Sequence, residues 1–524
     1  MENASDPMRA PAAAKGAGSQ PGETGLPDRQ AGAPHEHEAR IGKIRKLKEL
    51  GIQPYAYRFD RSHEIAQVIG GFDALMSGKS VVRVAGRLLS RREHGKTGFA
   101  NIMDASGKIQ IYLRRDALAE RFDLFLLLDI GDFIGVAGDL MITKTGEKTV
   151  LVKELVFLSK SLRPLPEKWH GLKDVELRYR QRYVDLIANP DVPEIFRRRA
   201  RLIKLIRQFL DERGFTEVET PVLQPLYGGA AAQPFRTHYQ ALDQDMFLRI
   251  SDELYLKRLI VGGMDKVYEL AKDFRNEGLD RLHSPEFTQL EVYEAYRDYT
   301  DMMSLVEELF RMLAQELHGK TEITFQGKTL DFGPPWKRLE FVPTLAGRLG
   351  TDPLALSAES LRKLCARFGM ETAPGATRGK LLDKLFSELI QDHIVEPTLV
   401  LNHPKITTPL AKSHRDNPEL VERFEPVVCG MELGNAFSEL NDPVEQAARF
   451  RDSIAEHEEF ATFDQDYVTA LEYGMPPCGG LGLGIDRLAM LFTGHDSIRE
   501  VILFPQLRPT APASRPGQSG SEEA

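Results

Sequence analysis

The chain has 524 residues, a net charge of −9, and hydrophobic and charged fractions of 42% and 28%, an ordinary balance for a globular protein of two to three domains. No uncharged apolar run is long enough to cross a bilayer, and no chain-wide basic field advertises nucleic acid, so any such contact must come from a local patch. Three cysteines (Cys365, Cys429, Cys478) lie far apart without a CxxC pair, which excludes a disulfide framework and a zinc knuckle and suits a reducing, cytoplasmic setting.

Residues 1–38 read as a disordered tail, rich in Ala, Gly, Pro and polar residues, with no apolar core or Arg-rich pattern of a targeting peptide. HEHE at 35–38 belongs to that tail and is not read as a metal site. ARIGKIRKLKELGIQ predicts a helix ending near Gly51. Five strand-like runs follow: SVVRVAGRLLSRR, GFANIMDA, GKIQIYLRR, DFIGVAGDLMITKT and EKTVLVKELVFLSK. Glycine-bearing turns separate them, and a helix is expected between the third and fourth. Five short strands in about 80 residues predict a small closed barrel. Arg83, Arg87, Arg91, Arg92, Lys96, Lys108, Arg114 and Arg115 are interleaved there with Phe99 and Tyr112. Such a mixture suits unstacked bases and a phosphate chain, and equally a solvated basic surface over core aromatics.

Residues 166–190 read as a linker. Beyond it, PEIFRRRARLIKLIRQFLDERGF predicts a helix with Phe196, Ala200, Ile203, Ile206 and Leu210 on one face, closed by Gly214. Strands are expected in FTEVETPVLQP, KVYELAKDFRNE, the stretch after Ser284 and RFEPVVCGMELGNAFSEL. Helices are expected at 301–319, at 378–395 and after the run GLGLG. Strands mix with helices without βαβ regularity, so an α+β domain on an antiparallel sheet is predicted for 191–509, with a second tail at 510–524. GKS at 78–80 lacks the upstream glycine of a phosphate loop, and GLGLG at 480–484 lacks the βαβ unit of a dinucleotide turn. Those glycines read instead as a place where a backbone approaches closely.

One face of the strand in PEFTQLEVYEAY would carry Phe287, Gln289, Glu291 and Tyr293, a poor oily core. Nearby, Arg275 and Glu277 would share a strand face, His283 lies in the following loop, and Arg487 opens a helix. Guanidinium groups hold phosphoryl oxygens through a fixed fork, and an aromatic ring gives a base something to stack on. Glu425 and Glu432 flank Gly430 in a possible hairpin, and two carboxylates beside phosphates suit Mg²⁺. Each Arg–Glu pair alone reads as a structural ion pair; their joint occurrence points to a polyphosphate site.

These runs, with RPLPEKWHGL, RYRQRYVDL, GFTEVETPVLQ (motif 1), GGAAAQPF, LYLKRLIVGG, FRNEG…HSPEFT (motif 2), FSELND, GLGLGIDR (motif 3) and VILFP, closely resemble the class II lysyl-tRNA synthetases of bacterial type. The resemblance covers about 39–509. It implies an OB-fold anticodon-binding domain with its N-terminal helix at 39–165, a class II catalytic domain, ATP and L-lysine as substrates, Mg²⁺, lysine tRNA as partner, and a homodimer through motif 1. It implies ATP contacts at Arg275, Glu277, His283, Phe287 and Arg487, with Arg275 and Arg487 catalytic, and metal binding at Glu425 and Glu432. Lysine contacts are implied at Gly229, Glu253, Arg275, Glu291, Tyr293, Asn435 and Glu439, and anticodon contacts at Arg87, Phe99, Gln110 and Glu154. The chain departs from the family pattern at Gln233, Gln240 and Met431. A protein-lysylating paralogue would lack the barrel; a catalytically silent RNA-binding paralogue would have lost Arg275, Arg487, Glu425 and Glu432, and all four stand.

Overall fold

The structure, a computed structural model, describes residues 34–166, 172–455 and 461–509. It divides into two compact units, Met1–Gly171 with Arg508–Ala524, and Leu172–Leu507.

In the first unit the opening helix runs Pro34–Glu49, so residues 34–38, expected as tail, are helical. The reason is local. Arg40 is buried and donates to the carbonyls of Ile130, Ser161 and Arg163 at 3.2–3.3 Å, and to Glu36 Oε1, one turn back, at 2.9 Å. The expected tails at 1–33 and 510–524 lie outside the described residues. Strands Val82–His94, Thr97–Met103, Lys108–Arg114, Phe133–Ile142 and Lys148–Ser159 close into a barrel. Their order around it is first, second, third, fifth, fourth, with third and fifth parallel and the other pairs antiparallel. Period-two alternation sends Val82, Val84, Ala100, Ile102, Ile109 and Ile111 inward. The expected helix is present as Phe122–Leu127, and Phe125 fills the space that Gly98 leaves without a Cβ.

In the second unit helices Val175–Arg180 and Arg182–Ala188 occupy what the sequence suggested was linker. Asp185 explains their order. Its fully buried carboxylate accepts from Arg178 (2.8 Å), Arg182 (2.6 Å) and Asn189 (2.6 Å). Arg182 also donates to the carbonyls of Arg499 and Leu503, at 3.0 and 3.1 Å. The run RYRQRYVD is therefore a clasp between the two ends of this unit. The long helix Val192–Asp211 buries Val192, Leu202, Ile206, Phe209 and Leu210. Ala200, expected on the buried face, is exposed.

A nine-stranded sheet forms the centre, in the order Lys337–Glu340, Thr398–Leu401, Arg423–Val428, Gly434–Ser438, Cys478–Gly484, Glu286–Ala295, Lys266–Phe274 and Thr216–Glu217. Met431–Glu432 pairs beside Arg423–Val428. The outermost pairings at each end are parallel and all others antiparallel. Helices Tyr299–His318 and Ile485–Thr493 contribute to the core that takes up one face of this sheet, where Leu290, Val292, Leu481 and Leu483 are buried with Phe310, Phe332, Trp336 and Phe492. The opposite face is left for chemistry.

Removing Asp185 strands two guanidinium groups. Asp185→Ala is expected to lower the stability of this unit by about 3–5 kcal/mol, the range for breaking a buried ion pair, read as a lower denaturation midpoint; an unchanged midpoint contradicts the clasp.

Candidate active site

The strand Glu286–Ala295 lies between Lys266–Phe274 and Cys478–Gly484. Leu290 and Val292 point into the helical core, so Phe287, Gln289, Glu291 and Tyr293 point the other way. Glu291 is opposite Gly482 and Tyr293 opposite Gly480. A Cβ at Gly480 would collide with Glu439 and Tyr293, and one at Gly482 with Glu291 and Gln289. The GLGLG run is thus a strand whose alternate residues lack side chains to make room for carboxylates. A cavity of about 550 Å³ opens over this face.

One end of the cavity is acidic. Glu439, just past strand Gly434–Ser438, is fully buried, and Glu253 opens the helix Glu253–Val261. Tyr293 donates to Glu291 Oε2 at 2.9 Å, and Gln289 donates to Glu291 Oε1. One helical turn after Glu253, Lys257 has no exposed side-chain surface. Its Nζ lies 2.6 Å from Glu253 Oε1 and also pairs with Glu439 Oε2. Burial opposes the charge on Lys257, but Glu253 and Glu439 hold its ammonium well above the usual lysine range. Burial pushes the Glu439 carboxyl up to about 8, against the attraction of Lys257. Glu291 is raised by burial and then by Glu253, and Asp252 by burial and then by Glu291. Gly229, at φ +86°, lines the same end; a Cβ there would press on Ser251.

The other end is cationic and aromatic. The strand stops at Phe274, so Arg275 and Glu277 sit in the loop beyond it and not on a strand face. Arg275 lies 5.0 Å from the Phe287 ring centroid. Its backbone N–H bonds the Pro285 carbonyl at 2.9 Å, so the loop folds back over the neighbouring strand. Arg487, in the first turn of Ile485–Thr493, donates to the Glu432 carbonyl at 2.5 Å and meets His283 Nε2 at 3.0 Å. His283 Nδ1 meets Asp280 at 2.7 Å. Asp486 accepts from the Thr288 N–H (2.7 Å) and pairs with Arg199 (2.6 Å), fixing the start of that helix against the strand. Val427 faces Glu432 in the short hairpin that carries both acidic candidates. Burial raises Glu432, and the charge of Glu425 adds to it.

The cavity brings together Gly229, Glu253, Arg275, Glu277, His283, Phe287, Glu291, Tyr293, Glu432, Asn435, Glu439 and Arg487. Glu425 is outside the lining, tied by Arg423 at 2.5 Å; the same guanidinium donates to Asn435 Oδ1 at 2.8 Å. Sequence reasoning missed three residues. Arg423 could have been found from its alternation with Glu425 in RFEPVV. Lys257 could have been found as a charge four residues from Glu253 in the apolar run LYLKRLIV. Asp383 carried no signal. It lines the cavity from helix Arg378–Leu389 with its side chain still exposed, and loss of hydration there raises its carboxyl, with Arg423 opposing and Glu425 and Glu432 adding.

The four barrel candidates belong to the other unit. Phe99 stacks on Tyr112 (4.5 Å between centroids, 21°). Gln110 accepts from the Thr149 hydroxyl at 2.9 Å, and Glu154 pairs with Arg83 at 2.7 Å. Arg87 donates to the Gly131 carbonyl (3.0 Å) over the Phe133 ring (4.2 Å). The supposed basic patch is partly structural. Arg91 donates to the carbonyls of Phe125, Leu126 and Leu128, and Arg114 and Arg115 pair with Asp116 and Asp123. Arg92, Lys96 and Lys108 remain exposed.

Residues 82–158 match the OB-fold nucleic acid binding domain, and residues 174–508 match the tRNA synthetases class II (D, K and N). Among similar proteins, the lysine–tRNA ligase of Syntrophomonas wolfei is 50% identical over 90% of this chain and 97% of its own length. That of Roseiflexus castenholzii is 53% identical over 90% and 98%, and that of Moorella thermoacetica 50% over 90% and 97%. With a cavity that sets a cationic, aromatic end against an acidic one on an antiparallel sheet, and with a five-stranded barrel preceding it, the chain belongs to the class II tRNA synthetases of the D, K and N group.

Proposed function

We propose that the protein is a lysine–tRNA ligase: it activates L-lysine with ATP and passes the lysyl group to the terminal adenosine of lysine tRNA. The observation that carries this reading is the buried carboxylate of Glu439 at the acidic end of a cavity whose other end offers Arg275, His283 and Arg487. An amino acid with a neutral or anionic side chain would leave Glu253, Glu291 and Glu439 with only the Lys257 ammonium and the substrate's α-ammonium as countercharge, one positive charge short, which is costly in a desolvated pocket. Lysine brings one ammonium at each end. In this reading Glu439, Tyr293 and Glu291 receive the ε-ammonium, and Glu253 with the Gly229 carbonyl receives the α-ammonium. Arg275 and Asn435 take the carboxylate.

Activation needs no general base, because lysine's carboxylate is already ionised. A carboxylate oxygen attacks the α-phosphorus; the C–O–P bond forms, the bond from that phosphorus to the bridging oxygen breaks, and its electron pair leaves with pyrophosphate. The chain's task is in-line positioning and charge neutralisation. Phe287 stacks on adenine, Arg275 and Glu277 hold the nucleotide near the reacting phosphate, and Arg487 and His283 hold the outer phosphates. In the second step a hydroxyl of the terminal adenosine attacks the lysyl carbonyl carbon, the acyl–phosphate bond breaks, and AMP leaves with the bonding electron pair while the hydroxyl proton passes to its phosphate. Glu425 and Glu432 would hold magnesium: the raised Glu432 carboxyl beside a second carboxylate is a repulsion that a cation relieves. When bound, magnesium supplies neutralisation of charge on the phosphates.

The barrel would read the anticodon through Phe99, Gln110, Arg87 and Glu154, and the half-buried Phe99–Tyr112 stack supports a base-stacking platform. Exposed Val222 and Leu223 in motif 1, with Leu226 just beyond it, support a homodimer through that segment. No helix among the described residues is long and apolar enough to cross a membrane. Three free cysteines fit the cytoplasmic location this reading requires.

ATP–pyrophosphate exchange with each amino acid in turn tests the reading: lysine alone should support it, and charging of total tRNA should yield lysyl-tRNA. Glu439→Ala should cost about 3–5 kcal/mol of lysine-dependent activation, the range for stranding a buried charge; unchanged exchange refutes the pocket. Glu439 must be ionised to meet the ammonium and loses its proton as pH rises through about 8. The ratio kcat/KM for lysine should therefore climb over that interval, and a flat profile there contradicts the assignment. Phe99→Ala should spare exchange while weakening tRNA charging by about 1–3 kcal/mol, the worth of one stacked base. Equal loss of both activities would remove the barrel from anticodon reading.

A further inference from the structure

We propose that Lys257 is a positioning residue that fixes substrate specificity: a resident ammonium behind the pocket wall that orients Glu253 and Glu439 and sets how much positive charge the pocket accepts. This rests on the lysine-activating reading above.

The geometry is specific. Lys257 does not line the cavity, whereas Glu253 and Glu439 do. It takes Oε1 of Glu253 and Oε2 of Glu439. Both Glu439 oxygens are buried without a hydrogen-bond partner among the described residues; Oε2 takes the ion pair with Lys257, and Oε1 is the oxygen that a Cβ on Gly480 would strike. The resident ammonium thus spends one oxygen of Glu439 and leaves the other facing the cavity. A carboxylate buried with both oxygens unpaired would take up a proton and cease to attract a cation.

The charges around it can be followed element by element. Glu253 shares the helix of Lys257. From Glu286–Ala295 come Glu291 and Tyr293, and from beyond Gly434–Ser438 comes Glu439. The helix Gln465–Glu472 presents Tyr467, and Cys478 heads the neighbouring strand; both are raised by burial and remain neutral. Arg258 does not serve the pocket, being paired with Asp464 at 2.8 Å and Asp466 at 3.2 Å. Arg249 is likewise taken, by Glu269 at 2.7 Å and Asp273 at 3.2 Å. Asp252 has no hydrogen-bond partner for its carboxyl among the described residues, and burial favours its protonated form. The carboxylates at the acidic end of the cavity are then Glu253, Glu291 and Glu439, and among the described residues the cation paired with them is Lys257. Lysine's two ammoniums complete the balance, while its carboxylate is met separately at Arg275. Without Lys257, Glu439 would lose its ion-pair partner and its carboxyl would be held protonated to still higher pH, so the pocket's attraction for lysine would weaken near neutral pH.

The test is Lys257→Met, close in length and neutral, with Lys257→Gln as the second variant should the first not fold. Lysine-dependent pyrophosphate exchange is measured across pH for wild type and variant. In the variant, KM for lysine should rise about tenfold or more near neutral pH, the deficit should narrow toward alkaline pH as the carboxylates ionise, and KM for ATP should stay within about twofold. The alkaline shift of the lysine profile is the signature that a merely structural role would not produce. The inference is overturned if KM for lysine and its pH profile match wild type. It is equally overturned if the lysine and ATP constants deteriorate together with an unshifted profile. Absence of lysine-dependent exchange in the wild type would remove the lysine-activating reading and this inference with it; normal wild-type exchange beside an unaffected variant would remove this inference alone.

Discussion

The catalytic unit is organised around the cost of keeping carboxylates charged out of water. Glu253, Glu291 and Glu439 crowd one end of a cavity, where burial favours the neutral form of Glu291 and of Glu439. The fold answers that cost in two ways. Lys257 supplies an internal countercharge from behind, and Gly480 and Gly482 clear the space the side chains occupy. A substrate with matching positive charge is stabilised because the site without it is electrostatically incomplete.

The same sheet makes the opposite choice a few residues away. Phe287 and Glu291 lie on one face of a single strand, yet the first belongs to a cationic, aromatic surface and the second to an acidic one. Strand parity puts them together; loop ends decide which charges join each. Arg275 arrives from the end of one neighbouring strand and Arg487 from the helix after another. In the proposed reading, anionic phosphates and a cationic amino acid would thereby be held apart, and the reacting carboxylate and phosphorus would meet between them.

The barrel teaches a different lesson about charge. Its arginines looked like one basic patch in the sequence, yet Arg91 closes the C-terminal carbonyls of the Phe122–Leu127 helix and Arg114 and Arg115 are paired. The exposed remainder with the Phe99–Tyr112 stack forms a smaller surface. Composition counts charges without telling which ones the fold has already used.

Much of the architecture was legible because period and punctuation are local. Alternation marked the five barrel strands and the Glu286–Ala295 strand, helical spacing marked the long helices, and the ordered motifs located the ATP and lysine candidates that the cavity gathers. Local signals failed where partners are distant in the chain. Residues 172–190 looked like linker because nothing nearby reveals that Arg182 will reach the carbonyls of Arg499 and Leu503. Residues 34–38 looked like tail because Arg40's carbonyl partners lie on the barrel side of the chain, at Ile130, Ser161 and Arg163. The sequence by itself determined the strands, the helices and the kinds of side chain available for chemistry. Only the tertiary structure decided which ions would be buried together, because the ionisation of Glu439 depends on Lys257, a residue 182 positions earlier that only the packed fold brings beside it.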